Sequence, residues 1–182
     1  QGSPLNLSNV ARGLDVSSVT VSRHLDLFTD LLLVRRLAPW SANVKKRLIR
    51  APKVYLRDSG VLHELLGVGS FARLEGHPKL GASWEGFVIE EVLRVTGDRQ
   101  AYFWGTHSGH ELDLLVFVNG RRIGVEVKYG DAVSMTSSMH VALTDLKLES
   151  LLVVHPGRQS YPLSPKAEAV SIAELRARLG KL

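Results

Sequence analysis

The sequence predicts an α/β chain in two parts: a helix–turn–helix with a β-hairpin, followed by a mixed sheet flanked by helices. Three observations support this. Apolar residues recur at helical spacing through residues 7–32 with one interruption. Two apolar runs flank Asn119-Gly120, the strongest short hairpin signal. Beyond residue 82 the pattern reads helix, three strands, helix, strand, helix, which indicates a sheet covered by helices.

In the first part, Leu7, Val10, Ala11 and Leu14 mark one helix. Asp15-Val16-Ser17 interrupts, and Val21, Leu25, Phe28 and Leu32 mark a second. Ser17 and Ser18 are the candidate N-caps of that second helix, because a short side-chain oxygen there satisfies an orphan backbone N–H. Ser18, Thr20, Ser22 and Arg23 would then lie exposed near its start. "LVRRLAPW" and "KRLIRAPKVYLRD" read as two strands with "SANVKK" at the tip between them. This arrangement resembles the winged-helix pattern, in which the start of the second helix meets DNA. Such a fold also serves as a protein-docking module. "YLRDSGVLHELLG" closes the unit and starts a short helix, placing a boundary near Asp58 between a winged-helix domain at 1–58 and a second domain at 59–182.

Charge is divided unevenly between these parts. Residues 1–58 hold 10 Lys/Arg against 4 Asp/Glu, whereas 59–182 hold 13 against 14. Eight basic residues and no acidic one lie from Arg35 to Arg57, which favours a polyanionic partner, with Lys45, Lys46, Arg47 and Arg50 as phosphate contacts. A solvated cationic hairpin would show the same run.

The second part opens with "ASWEGFVIEEVLRVTG" (82–97), an amphipathic helix ending at Gly97. At 100° per residue Glu85 falls inside the apolar arc of Trp84, Val88, Ile89, Val92 and Val95, while Glu90 and Arg94 fall opposite. An inward Glu needs a partner, either a ligand or a structural salt bridge. Tyr102, Phe103 and Trp104 in "AYFWGT" read as core residues.

The next two strands form the Asn119-Gly120 hairpin, which sets Asp113 opposite Glu126. Period-two alternation puts Glu111 and Lys128 on the same face and Leu112, Leu114, Val116, Ile123, Val125 and Val127 on the other. Two carboxylates opposed in this way repel unless positive charge stands between them, and a divalent cation would supply it. Lys128 bridging the two acids without a metal is the alternative. Glu111 would pair with Lys128 or face solvent. A helix around 136–146, a strand in "LESLLVVHPG" and a last helix with a Ser171/Glu174 capping box complete the chain. His107 and His110 have HxxH spacing, but no third ligand is suggested and the segment reads as a turn.

Glu85, then Asp113, then "EVK" (126–128) resembles the PD-(D/E)xK nuclease superfamily with its restriction-endonuclease-like fold. "NVKKRLIRAPKVYLRDSGVLHELLG", "LGASWEGFVIEEVL", "YFWGTHSGHELDLLV" and "GVEVKYG" together resemble more closely the domain that follows an AAA ATPase domain in many bacterial and archaeal proteins. There a winged helix joins a nuclease-like domain. The superfamily's "PD" is here Leu112-Asp113. The resemblance implies Asp113, Glu126 and the Val127 carbonyl as ligands of Mg²⁺ or Mn²⁺, Glu85 as an outer or second-metal ligand, and Lys128 as the group that orients or activates water. It implies DNA as partner and an ATPase domain on the same parent chain. The ATPase motif GxxxxGK[ST] does not occur, so no ATP site is assigned.

Composition bounds the rest. The chain of 182 residues has no cysteine, which removes disulfide and thiol chemistry and fits the reducing cytoplasm. No apolar run is long enough for a membrane span and no signal-peptide pattern opens the sequence. The only methionines are Met135 and Met139, so a piece of a longer protein is expected, with Gln1-Gly2-Ser3 a cloning remnant.

Overall fold

Short polar side chains start the first two helices, as N-cap chemistry requires. In the computed structural model, which describes residues 1–41, 48–130 and 132–182, Asn6 accepts from the Asn9 N–H ahead of α1 (Leu7–Gly13). Ser17 accepts from the Thr20 N–H ahead of α2 (Ser18–Asp30). Strands β2 (Val34–Pro39) and β3 (Lys53–Leu56) then pair antiparallel, from Val34↔Leu56 to Leu37↔Lys53.

The first residues are part of this sheet. β1 (Ser3–Pro4) pairs with β3, the Gly2 N–H donates to the Val54 carbonyl at 3.0 Å, and the Leu56 N–H donates to Gln1 Oε1 at 2.8 Å.

Asp58 caps α3 (Ser59–Leu65), the short α4 (Phe71–Glu75) follows, and α5 (Leu80–Thr96) ends at Gly97, whose φ of 77° favours glycine. After β4 (Ala101–Gly105) comes the hairpin of β5 (Glu111–Val118) and β6 (Arg121–Val127). Asn119 and Gly120 both have positive φ, 52° and 78°, and the register runs Leu114↔Val125, Leu115↔Gly124, Val116↔Ile123. This is the register that a two-residue turn at Asn119-Gly120 dictates.

The single-face picture of that hairpin needs correction. Ala101 pairs with Val116 but Trp104 pairs with Leu112, so β5 carries one extra residue opposite Phe103, at Asp113 and Leu114. A β-bulge breaks the period of two. Leu114, Val116, Ile123, Val125 and Val127 join the core on one side of the sheet, whereas Leu112 and Leu115 join the core on the other. Both faces are apolar because both are covered by helices.

Thr136 caps α6 (Ser137–Asp145), and β7 (Ser150–His155) follows. β8 (Tyr161–Ser164) and β9 (Ala167–Ser171) form a hairpin that sequence reading does not anticipate, since Pro162 argues against a strand. Its position explains the tolerance: β8 is an edge strand. The Ser171/Glu174 capping box is not formed. Ser171 ends β9, and α7 (Leu175–Leu179) begins after Glu174, which makes no side-chain cap and instead accepts from Ser160 Oγ at 2.7 Å.

β2 also pairs in parallel with β4, at Ala38↔Tyr102 and Pro39↔Phe103. Among the described residues one nine-stranded mixed sheet, ordered β1-β3-β2-β4-β5-β6-β7-β9-β8, therefore runs through both parts of the chain. One core unites Val88, Ile89 and Val92 of α5 and Leu175 and Leu179 of α7 with the sheet, and the other unites Met139 and Ala142 of α6 with Trp104, Leu112 and Leu115. Phe103 and Trp104 are fully buried, as core aromatics. Among the described residues no helix is long and apolar enough to cross a membrane.

Candidate functional site

The hairpin register brings Asp113 level with Glu126, one residue beyond Leu114↔Val125. Asp113 Oδ2 accepts the Val127 N–H at 2.8 Å, and Glu126 Oε1 accepts from Lys128 Nζ at 2.7 Å. Glu126 Oε2 is buried with no hydrogen-bond partner. Burial, the Glu126 charge and the Glu85 charge push the Asp113 carboxyl well above its ordinary range, and Lys53 and the Val127 N–H only partly offset them. Burial likewise raises Glu126, against the pull of Lys128. These acids, with Glu85, Glu111 and the 42%-exposed Lys128, line a pocket of about 430 Å³ that also touches Thr136, the N-cap of α6, and Ser138 in its first turn. Trp84 Nε1 donates to the Lys128 carbonyl at 3.1 Å and fixes the backbone there.

Glu85 does point inward, and its partner is one that sequence reading missed. Lys53 of β3 is 2% exposed, and its Nζ lies 3.0 Å from Glu85 Oε1, 3.6 Å from Glu111 Oε1 and 3.6 Å from Asp113 Oδ1. Tyr55, two residues on and on the same face, donates its hydroxyl to Glu85 Oε1 at 2.5 Å. Burial alone would depress the Lys53 ammonium, but Glu85, Asp113 and Glu111 outweigh it and hold the pKa above its usual value. The phenol of Tyr55 is raised by burial and by Glu85. A signal for Lys53 was present in "KVYL": period two puts it on the face of Tyr55, an apolar ring that belongs inside.

Glu90 is not on a solvent face. It is 6% exposed, because α5 is covered on this side by the β2–β3 hairpin: Arg35 Nε and Nη2 bind its two oxygens, and Arg57 Nη2 reaches Oε2 at 3.0 Å. Arg36 pairs with Asp26 at 2.7 Å. Four of the eight basic residues between 35 and 57, counting Lys53, thus meet acids of this chain. Lys45, Lys46 and Arg47 lie outside the described residues. Arg50 is exposed, as are Ser18 and Arg23, while Thr20 and Ser22 are half-buried and Thr20 Oγ1 is 2.9 Å from Ser17 Oγ.

The pocket can be tested against a divalent cation. Among the described residues no three His, Cys, Asp or Glu side chains form a group able to hold a metal by themselves. Mg²⁺, however, keeps several waters and takes only one or two carboxylates. Asp113 and Glu126 supply hard oxygen donors, and Glu126 Oε2 is a buried acceptor with no donor. That chemistry fits Mg²⁺ or Mn²⁺ at this pair. It does not fit a metal on Glu85 Oε1, where an ammonium and a phenol already donate. His107 and His110 flank a turn in which the Thr106 N–H donates to the His110 carbonyl at 2.8 Å.

The domain of unknown function DUF4143 matches residues 80–175, which include Glu85, Asp113, Glu126 and Lys128. The chain belongs to this family, one commonly found with AAA ATPases. Residues 1–72 match a second domain of unknown function, DUF8612, so Lys53 and the acids it meets fall in different matches. The chain is 47% identical over 163 residues to the uncharacterized proteins Rv2008c of Mycobacterium tuberculosis and Mb2031c of Mycobacterium bovis. The match covers 90% of this chain and 37% of each relative, so the chain spans little more than a third of their length. No solved structure matches it.

Proposed function

We propose that the chain is a nucleic-acid-binding module with an Mg²⁺-dependent phosphodiester-hydrolysing site, working beside an ATPase domain on a longer parent protein. The observation that carries this reading is the Asp113–Glu126 pair: two buried, mutually repelling carboxylates, one with an orphan oxygen, beside a half-exposed ammonium in an open pocket. Perturbed carboxylates of this kind concentrate at functional sites. Helices α1 and α2 with the β2–β3 hairpin are read as a winged helix, and the sheet with α5 and α6 as nuclease-like.

In this reading Asp113 and Glu126 hold the ion, which when bound supplies a Lewis acid for the phosphodiester and acidifies water. The Val127 N–H fixes the Asp113 side chain, and Glu126 Oε1 anchors the Lys128 ammonium. Lys128, a compact cation, stabilises charge gathering on the attacked phosphate and orients the water. Ser18, Arg23 and Arg50 are the exposed candidates for DNA contact among the described residues, with Thr20 and Ser22 less accessible. The test is plasmid nicking with and without Mg²⁺. Asp113→Asn and Lys128→Ala should each lower it by about 100-fold or more.

A second reading rests on Lys53: an ammonium already inside the acidic cluster makes it a closed ion network in a binding or regulatory domain. Purified protein that neither nicks DNA nor binds Mg²⁺ or Mn²⁺ would favour it.

A further inference from the structure

The nuclease-like reading gives Lys53 no role, yet this is the most enclosed charge of the cluster. Its side chain is 2% exposed against 8% for Asp113 and 4% for Glu126. It stands among Glu85, Glu111 and Asp113 at 3.0–3.6 Å, with the Phe103 ring centroid 5.6 Å from Nζ. We propose that Lys53 is a built-in cation standing where a second divalent ion would otherwise bind, so that the pocket takes one metal ion, on Asp113 and Glu126. This rests on the metal-site reading above.

Three carboxylates around one point require positive charge, and a divalent ion or an ammonium can supply it. Here the ammonium does so from β3. It is held in place by Glu85, whose Oε1 accepts from both Lys53 Nζ and the Tyr55 hydroxyl. Glu85 is therefore a positioning residue that serves Lys53, in place of the metal-ligand role the superfamily resemblance implies. Lys53 belongs to the segment at 1–72 and the acids to the segment at 80–175. The N-terminal part thus completes the site electrostatically, and its β3 limits how many ions the site accepts.

Calorimetric titration of the full chain with Mn²⁺ at fixed pH tests this. Wild type should bind one ion. Lys53→Met should bind two, because the cation that occupies the second place has left. Glu85→Gln should still bind one, within a fewfold of wild type, whereas loss of a true ligand would cost well over about tenfold. Lys53→Met that still binds one ion overturns the proposal while leaving the metal site standing. A large loss of affinity in Glu85→Gln makes Glu85 a ligand and also overturns it, and this variant decides the matter if Lys53→Met does not fold. Wild-type protein that binds no Mn²⁺ removes the metal-site reading and this inference together.

Discussion

Two buried charge clusters lie along α5, and they are finished differently. At Glu90, both carboxylate oxygens are taken by Arg35 and Arg57, and the acid and its partners come from elements packed tightly together. At the hairpin end, Glu85, Glu111, Asp113 and Glu126 crowd around the ammonium groups of Lys53 and Lys128, one carboxylate oxygen has no donor, and a pocket opens beside it. A structural ion cluster is saturated by its own chain. In the proposed reading, one left short of positive charge and open to water takes a ligand, and this difference separates the two where burial does not.

The largest effect is expected at Glu90. Glu90→Ala leaves Arg35 buried beside an empty place and should destabilise the fold by about 3–5 kcal/mol in urea unfolding. Asp113→Asn should act in the opposite direction. It removes a charge the fold disfavours, so metal-free protein at pH 8 should gain stability on the order of 1 kcal/mol while losing metal-dependent activity.

The pH dependence follows from the same surplus. Asp113 and Glu126 are raised in the folded state, so the fold binds more protons than the unfolded chain between the ordinary carboxylate range and their raised values. Their contribution is fully present below the ordinary range and is lost as pH rises through the folded values. Metal-free stability should therefore fall over that window, and Asp113→Asn or added Mg²⁺ should flatten the fall. A profile that rises through the same window would mean the acids are stabilised as anions. The smallest effect is expected at Trp84→Phe: loss of the bond to the Lys128 carbonyl should cost about 1 kcal/mol. Its larger mark would be on Lys128-dependent activity.

Much of this was visible in the residues. Asn119-Gly120 set the register of β5 and β6, and the inward position of Glu85 followed from helical period, because local rules decide both. Other features depended on contacts distant in sequence. Glu90 looked solvent-facing until the β2–β3 hairpin covered α5, and the bulge at Asp113–Leu114 has no sequence mark. Pro162 concealed a strand because only its place at the sheet edge makes it acceptable. Lys53 escaped notice because a basic run reads as surface, whereas half of that run meets acids of this chain.

If Asp113 and Glu126 form a divalent-cation site, a crystal soaked in Mn²⁺ and measured at its absorption edge will show it. One anomalous peak is expected between the two carboxylates, with Lys53 still against Glu85. Full soaking with no peak there, or with Lys128 swung across to bridge both acids, would contradict it.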